Sequence, residues 1–296
     1  MIYITIKISN LYKQSIIHFP NLKIKNGGIQ NKELNLLTYN HTGLGNNLFQ
    51  ISNCLVIAWK YNIKTSFPDL NLLKQKLPDY SMDIYRNLNQ HLFKYRNKYP
   101  NLKTLKIKDT IFEINNAPFF YLNFKDYESK LLEIFSINQK NKDIINNKYP
   151  NLFKNNITVS LHVRRGDFVV ISKLYNPEYI LKVTYYQKAI NLINNLLKKK
   201  YKLLIFSDDI QWCRFNFKQK NIIFIEENYD YIDLWMMSLC NHNIISSSSF
   251  SWWGAFLNQN PDKFVVAPEK SIFREKKNLL LLNKKLYPSS WKIIKE

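Results

Sequence analysis

The stretch ITVSLHVRRGD, residues 157–167, decides the fold. An apolar, β-branched run passes through His162 and ends in Arg164, Arg165 and Asp167. That is the pattern of a strand buried on both faces that delivers polar groups at its carboxyl end. Downstream the alternation continues. EYILKVTYYQKAINLINNLLKKK has apolar residues near helical spacing, KLLIFSDD is an apolar run closed by acids, IQWCRFNF a short helix and NIIFIEE a strand. DYIDLWMMSLCNH follows as a helix, NIISSS as a short strand, SFSWWGAFLNQN as a helix opened by capping serines, and KFVVAPE as a last strand before a lysine-rich tail. Strands and helices at this spacing imply a parallel, doubly wound sheet, in which ligands bind beyond the carboxyl ends of the strands.

Toward the N-terminus, the Asn/Lys-rich segment NQKNKDIINNKYPNLFKNN places a boundary between residues ~140 and 156. Two lobes are expected, 1–150 and 151–296. The first is harder to read, with prolines at Pro68, Pro78, Pro100 and Pro118. Its one sharp signal is the turn Thr42-Gly43-Leu44-Gly45-Asn46-Asn47, followed at once by the helix-like LFQISNCLVIAWKY. Such a junction aims helix N-terminal amides at whatever precedes it. The opening MIYITIKISNLYKQSIIHFP alternates apolar and polar residues, as an edge or first strand does, and lacks the apolar run of a signal peptide or anchor. A soluble, cytoplasmic protein is expected.

The 296 residues are 46% hydrophobic, enough for a full core. The net charge of +21 comes from 43 Lys+Arg against 22 Asp+Glu, and six of the basic residues are arginines. The lysines are scattered among abundant Asn and Ile, which reads as a solvated lysine surface, and no nucleic-acid-binding motif accompanies them. Nucleic acid is therefore not an expected partner. Cys54, Cys213 and Cys240 lie far apart with no CxxC spacing, so neither a disulfide framework nor a zinc site is indicated.

Three constellations carry chemistry. Adjacent arginines at a strand end diverge: one can fork onto a diphosphate while its neighbour turns back to hold Asp167 or the loop, with Gly166 permitting a sharp turn. A purely architectural ion pair fits the same residues. The run Ser246–Ser249, Phe250, Ser251, Trp252, Trp253 and Gly254 offers hydroxyls and helix N-terminal amides to an anion, or is an ordinary capping run around a tryptophan core. Asp208 and Asp209 close a strand and suit either a base or ribose contact or a helix N-cap. Asp230 reads as a first-turn or capping acid, His242 as a helix C-cap, and His41 as a loop histidine or a base near an acceptor.

Taken together, GLGNNLFQ, VSLHVRRGD, FSDD followed by Trp212, and DLWMMSLCNHNIISSSSFSWWGAFL resemble glycosyltransferase family 11, the α-1,2-fucosyltransferase family. The resemblance spans residues ~42 to 257. It implies an α/β protein of the GT-B type, with two Rossmann-like lobes and the parallel doubly wound sheet in the C-terminal donor lobe. It further implies an inverting transfer of fucose from GDP-fucose to a galactose-type hydroxyl of a glycan, with no metal and no cofactor. His162, Arg164, Arg165 and Asp167 match the family's HxRRxD pattern at the GDP diphosphate. Ser248, Ser249 and Phe250 fall in its donor-site element, and Asp208 joins them as a donor-side carboxylate. Gly45 and Asn46 match its GN pair on the acceptor side, which makes Asn46 a candidate for orienting the acceptor. With Arg164 and Arg165, Asp167 and Asn46 are the candidate catalytic residues. The chain departs from the family pattern at Thr42, Asn47, Phe168 and Ser247. Neighbouring readings are an α-1,6 or protein O-linked fucosyltransferase and a catalytically silent GDP-sugar-binding protein.

Overall fold

A computed structural model describes residues 33–35, 43–61, 64–66, 84, 112–113, 121, 125–174, 180–269 and 286–295. The expectations for the first twenty residues, for His41 and Thr42, and for the four prolines of the first half lie outside the described residues. The chain divides into two compact units: residues 1–119 with 123–135, and residues 120–122 with 136–296.

In the first unit, strands β1 (Glu33–Asn35), β2 (Lys64–Ser66) and β3 (Phe112–Glu113) form a parallel sheet in the order β2-β1-β3. Helix α1 (Leu44–Tyr61) starts directly after Gly43, whose carbonyl accepts from the amides of Asn46 and Asn47. Its apolar residues Leu48, Phe49, Ile51, Cys54 and Leu55 are fully buried. At its far end Trp59 packs on Tyr127, with the Lys130 ammonium 5.2 Å above the indole. Lys130 belongs to α2 (Glu128–Phe135).

The second unit opens with α3 (Gln139–Lys148), capped by the Asn138 side chain. Strands β4 (Thr158–Val163), β5 (Lys202–Ser207), β6 (Ile222–Ile225), β7 (His242–Ile244), β8 (Val265–Pro268) and β9 (Lys292–Ile294) follow. All pair in parallel, in the order β6-β5-β4-β7-β8-β9. The chain therefore winds one way from β4 and the other way from β7, and the reversal leaves a crevice beyond the carboxyl ends of those two strands. Sheet and helices make the parallel α/β class expected from the sequence.

Alternation along the strands assigns the two faces. Val159, Leu161 and Val163 of β4 pack with Leu203 and Ile205 of β5 against Tyr185, Ala189 and Ile193 of α5 (Val183–Leu197) and Cys213 of α6 (Ile210–Asn216). Ser160 faces the other way. Its hydroxyl accepts from Asn243 of β7, whose amide also donates to the Met237 carbonyl of α7 (Asp230–Leu239), and Asn258 donates to Asn243 in turn. Helix α8 (Ser249–Phe256) packs on α7 at Gly254, where a Cβ would stand 2.8 Å from the Met237 Cβ.

Several sequence expectations change. The lysine-rich tail ends in β9, which adds a sixth strand to the sheet through Val266↔Lys292. His242 is not a helix cap: α7 ends at Leu239 with Cys240 as its C-cap, and His242 lies in β7, accepting from the Phe264 amide and stacking on its ring. Tyr229 is the N-cap of α7, so of the two readings of Asp230 the first-turn acid is the one that holds. All three cysteines are buried free thiols.

Candidate functional site

β4 ends at Val163, and the next two residues turn into α4 (Gly166–Leu174). Gly166 is needed there for close approach rather than for a sharp turn: a Cβ would meet Asp208 Oδ2 at 2.5 Å. Asp208 lies at the end of β5, the neighbour of β4. Its Oδ1 accepts from the Arg165 amide at 2.8 Å, and its Oδ2 pairs with Arg164 Nη1 at 2.8 Å. Arg164 Nη2 meets Asp167 Oδ1 at 2.7 Å. Arg164 is thus gripped at both terminal nitrogens and fastens the loop.

Arg165 is held differently. Its Nε donates to Asp209 Oδ2 at 2.9 Å, and its guanidinium carbon lies 4.2 Å from the centre of the Trp212 ring. Asp209 is fixed as the N-cap of α6 by the Trp212 amide, and its own amide donates to Ser207 Oγ. One edge of the guanidinium is thereby oriented by a carboxylate and an indole, and the terminal nitrogens make no ion pair among the described residues. A planar fork locked at its base suits bidentate binding of a diphosphate. Of the two arginines, Arg165 is the one whose terminal nitrogens are outside the ion pairs of the described residues.

Beyond β7, Ser246 and Ser251 link strand end to helix start. The Ser246 amide donates to Ser251 Oγ, and the Ser251 hydroxyl donates to the Ser248 carbonyl. Ser248 is the N-cap of α8, accepting from the Phe250 amide. His162 crosses the switch point, with Nδ1 2.8 Å from Ser246 Oγ and its ring 5.4 Å from that of Phe250. Burial, aided by the Arg164 charge, pushes the imidazole down to about 3, so His162 is neutral and takes no proton near pH 7.

A second polar cluster lies past β6. Lys148 donates to the carbonyls of Glu226 and Glu227 and to Asn228 Oδ1. The Asn228 amide donates to Asp233 Oδ1 at 2.8 Å. Asp233 is pushed up to about 7, first by burial and then by Asp230, with Asn228 and Lys148 pulling the other way. Asp233 shares the first turn of α7 with Asp230. Its neighbour Lys148 lies 85 positions away in the chain, and no local pattern signals that pairing.

The structure therefore brings His162, Arg164, Arg165, Asp167, Asp208, Ser248, Ser249 and Phe250 to the carboxyl edge of one sheet. Asp208 acts there as a brace for both arginines. Ser246, Ser251, Asp209 and Trp212, all members of the quoted motifs, belong to the same assembly. Gly45 and Asn46 lie in the first turn of α1, in the other unit. On that helix Asn47, Gln50, Ser52 and Asn53 are buried polar residues, and Gln50 Oε1 and Ser52 Oγ have no hydrogen-bond partner among the described residues. Among those residues no group of three or more His, Cys, Asp or Glu could hold a metal ion. No helix among them is long and apolar enough to cross a membrane.

Comparison with known proteins fits these motifs. The profile of glycosyl transferase family 11 matches residues 50–283. The chain is 30% identical over 184 residues to the O-antigen biosynthesis glycosyltransferase WbnK of Escherichia coli, covering 58% of this chain and 61% of that protein. It is 34% identical over 167 residues to an alpha-1,2-colitosyltransferase of Escherichia coli, covering 52% and 54%. A galactoside alpha-(1,2)-fucosyltransferase 1 of Bos taurus is 29% identical over 107 residues, covering 33% and 29%. The matched segments thus span less than two thirds of these relatives.

Proposed function

The chain belongs to glycosyl transferase family 11, and on that premise we propose that it moves L-fucose from GDP-fucose to a galactose-type hydroxyl of a glycan, forming an α-1,2 linkage with inversion. The observation that carries the reading is Arg165. Its Nε is tied to Asp209 and its plane is laid on Trp212, at the crevice where a doubly wound sheet binds nucleotides.

The chemistry asks for three things: a donor held in line with an acceptor hydroxyl, charge stabilisation on the leaving diphosphate, and a destination for the acceptor proton. Arg165 supplies the second through its terminal nitrogens, and Arg164 keeps the loop in place through Asp167 and Asp208. The α8 N-terminus, with Ser248 as cap and Ser249 in its first turn, adds amide dipoles to the same anion. The diphosphate is met by arginine and amides, with no metal required. His162 is too weak a base to take the proton, and it holds Ser246 and Phe250 in place instead. Asp167 has one oxygen on Arg164, so the departing phosphate is the proton's destination in this scheme. Asn46 orients the acceptor. A cytoplasmic location goes with the proposal and is tested by fractionating the expressing cells.

A second reading concerns the sugar. The relative with 34% identity is named a colitosyltransferase, and colitose is fucose without its 3-hydroxyl. Incubating the protein with GDP-fucose or its 3-deoxy counterpart, in the presence of a β-galactoside panel, followed by NMR of the product, separates the cases. Fucosylation at the galactose 2-hydroxyl is the expected result. Transfer of the 3-deoxy sugar alone changes the donor, another linkage such as α-1,6 or a protein O-link changes the acceptor, and GDP binding without transfer makes the chain a silent binder.

A further inference from the structure

Charge in the second unit is polarised along the strands. At the carboxyl edge Asp167, Asp208 and Asp209 hold the arginine loop, and Glu226, Glu227 and Asp230 follow β6, where Lys148 donates to the carbonyls of Glu226 and Glu227 and Arg214 pairs with the Glu226 carboxylate. The amino edge is the reverse. Exposed Lys154 precedes β4, exposed Lys198, Lys199 and Lys200 precede β5, and exposed Lys218 and Lys220 precede β6. These connections lie side by side, because the Lys202 amide donates to the Ile157 carbonyl and the Leu203 amide to the Asn221 carbonyl. Neighbouring strands lie about 4.8 Å apart, so the lysines crowd one end of a three-strand strip. None forms an ion pair among the described residues.

Beside this strip stands Phe215, the most exposed large apolar side chain described, at 78%. It lies in the last turn of α6, which leads into the β6 connection, and Lys218 Nζ lies 5.9 Å from its ring. A lone protruding aromatic set among lysines pairs shallow apolar insertion with attraction to negative headgroups. The cations here are flexible point charges without arginine forks or an aromatic stacking array, which suits a charged plane better than nucleic acid.

We propose that the amino edge of this sheet, centred on Lys199, Lys200, Lys218, Lys220 and Phe215, docks the protein on an anionic lipid surface. The donor crevice is at the opposite edge, roughly 20 Å away along the strands, so docking leaves it open. The site requires none of the residues assigned to sugar transfer and stands or falls separately from that assignment.

The test is co-flotation of the full chain with vesicles of phosphatidylcholine containing phosphatidylglycerol, and with phosphatidylcholine alone. The protein is expected to float only with the anionic vesicles and to be released by high salt. The variant K199E/K200E/K218E/K220E is expected to bind roughly a thousandfold more weakly, since each of the four lysines near such a surface contributes about 1 kcal/mol. Lys198 is left unchanged because its φ of 49° makes it the αL cap of α5. Phe215→Ser, a single exposed change that preserves the charge, should weaken binding while leaving the thermal midpoint in place. Lys140→Glu with Lys188→Glu, exposed lysines on other surfaces, should bind as the parent does. Equal binding to neutral vesicles, undiminished binding by the quadruple and Phe215 variants, or equal loss in the control overturns the proposal. So does saturable binding to duplex DNA with no binding to anionic vesicles, which would give the strip to nucleic acid.

Discussion

At the residue scale the site turns on the different treatment of two adjacent arginines. Arg164 is consumed by Asp167 and Asp208, whereas Arg165 is held at Nε and by stacking on Trp212. Arg165→Ala is expected to lower kcat/KM for transfer by about 10²–10³, the usual effect of losing one preorganised donor at a developing negative charge. Arg165→Lys should recover little, because an ammonium reproduces neither the fork nor the stack. Steady-state kinetics on protein with an unchanged circular dichroism spectrum checks both; near-parental turnover in either would remove Arg165 from its role. Gln50 makes a complementary case. Its buried Oε1 lacks a partner among the described residues, a condition that natural structures rarely tolerate without a reason. Gln50→Met is expected to raise the thermal midpoint by a few degrees, removing a desolvation cost of about 1 kcal/mol, and to raise KM for the acceptor if that oxygen is held ready for a hydroxyl. A melt and an acceptor titration read the two effects separately.

At the element scale, β4 through β8 and α5 through α8 were legible because buried parallel strands write themselves as short apolar runs closed by polar residues, whereas the helix Gly166–Leu174 was not, since RRGD reads as a turn. β9 was not. It is a three-residue edge strand whose two lysine- and isoleucine-bearing outer positions are exposed, so KII reads as tail. His242 was mistaken for a cap because a helix-like pattern runs into it, although α7 stops at Leu239 and is capped by Cys240. Within the site, the arginine and serine motifs are contiguous and could be read directly. The contacts that give them meaning could not: Asp208 to Arg165 spans 43 positions and Ser246 to His162 spans 84. Only the register of the sheet brings those pairs together. The contact of α7 with α8 is equally invisible in sequence and gives a sharp prediction. Gly254→Ala would place a Cβ 2.8 Å from the Met237 Cβ, and neither backbone can retreat easily with Trp235 and Trp253 fully buried nearby. A loss of about 1–3 kcal/mol is expected, as for other overpacked cores, read as a lower denaturant midpoint with an unchanged m-value. Gly254→Ser should be at least as damaging.

At the scale of the whole molecule, two titrating groups of the second unit, His162 buried in β4 and Asp233 partly buried in α7, pull stability in opposite directions. His162 is held down to about 3 by burial and by Arg164, from an ordinary value of 6.5. Between those values the unfolded chain binds the extra proton, so this group's contribution is complete above pH 6.5 and is lost as pH falls toward 3. Asp233 is held up to about 7 from 3.8, chiefly by burial. There the folded chain binds the extra proton, so its contribution is complete below pH 3.8 and is lost as pH rises through 7. Each slope amounts to at most about 1.4 kcal/mol per pH unit, and between about pH 4 and pH 6.5 they oppose each other. The parent protein should therefore show little net dependence from this pair in that window. Asp233→Asn keeps the acceptor for Asn228 and removes the charge, so its stability should climb with pH across the window. His162→Gln removes the opposite term, so its stability should fall. Denaturant midpoints across the window check both variants, and the double variant should return to the flat profile, because the two side chains share no hydrogen bond and their effects should add. Parallel profiles for the parent and both single variants would mean that neither group titrates as its burial requires.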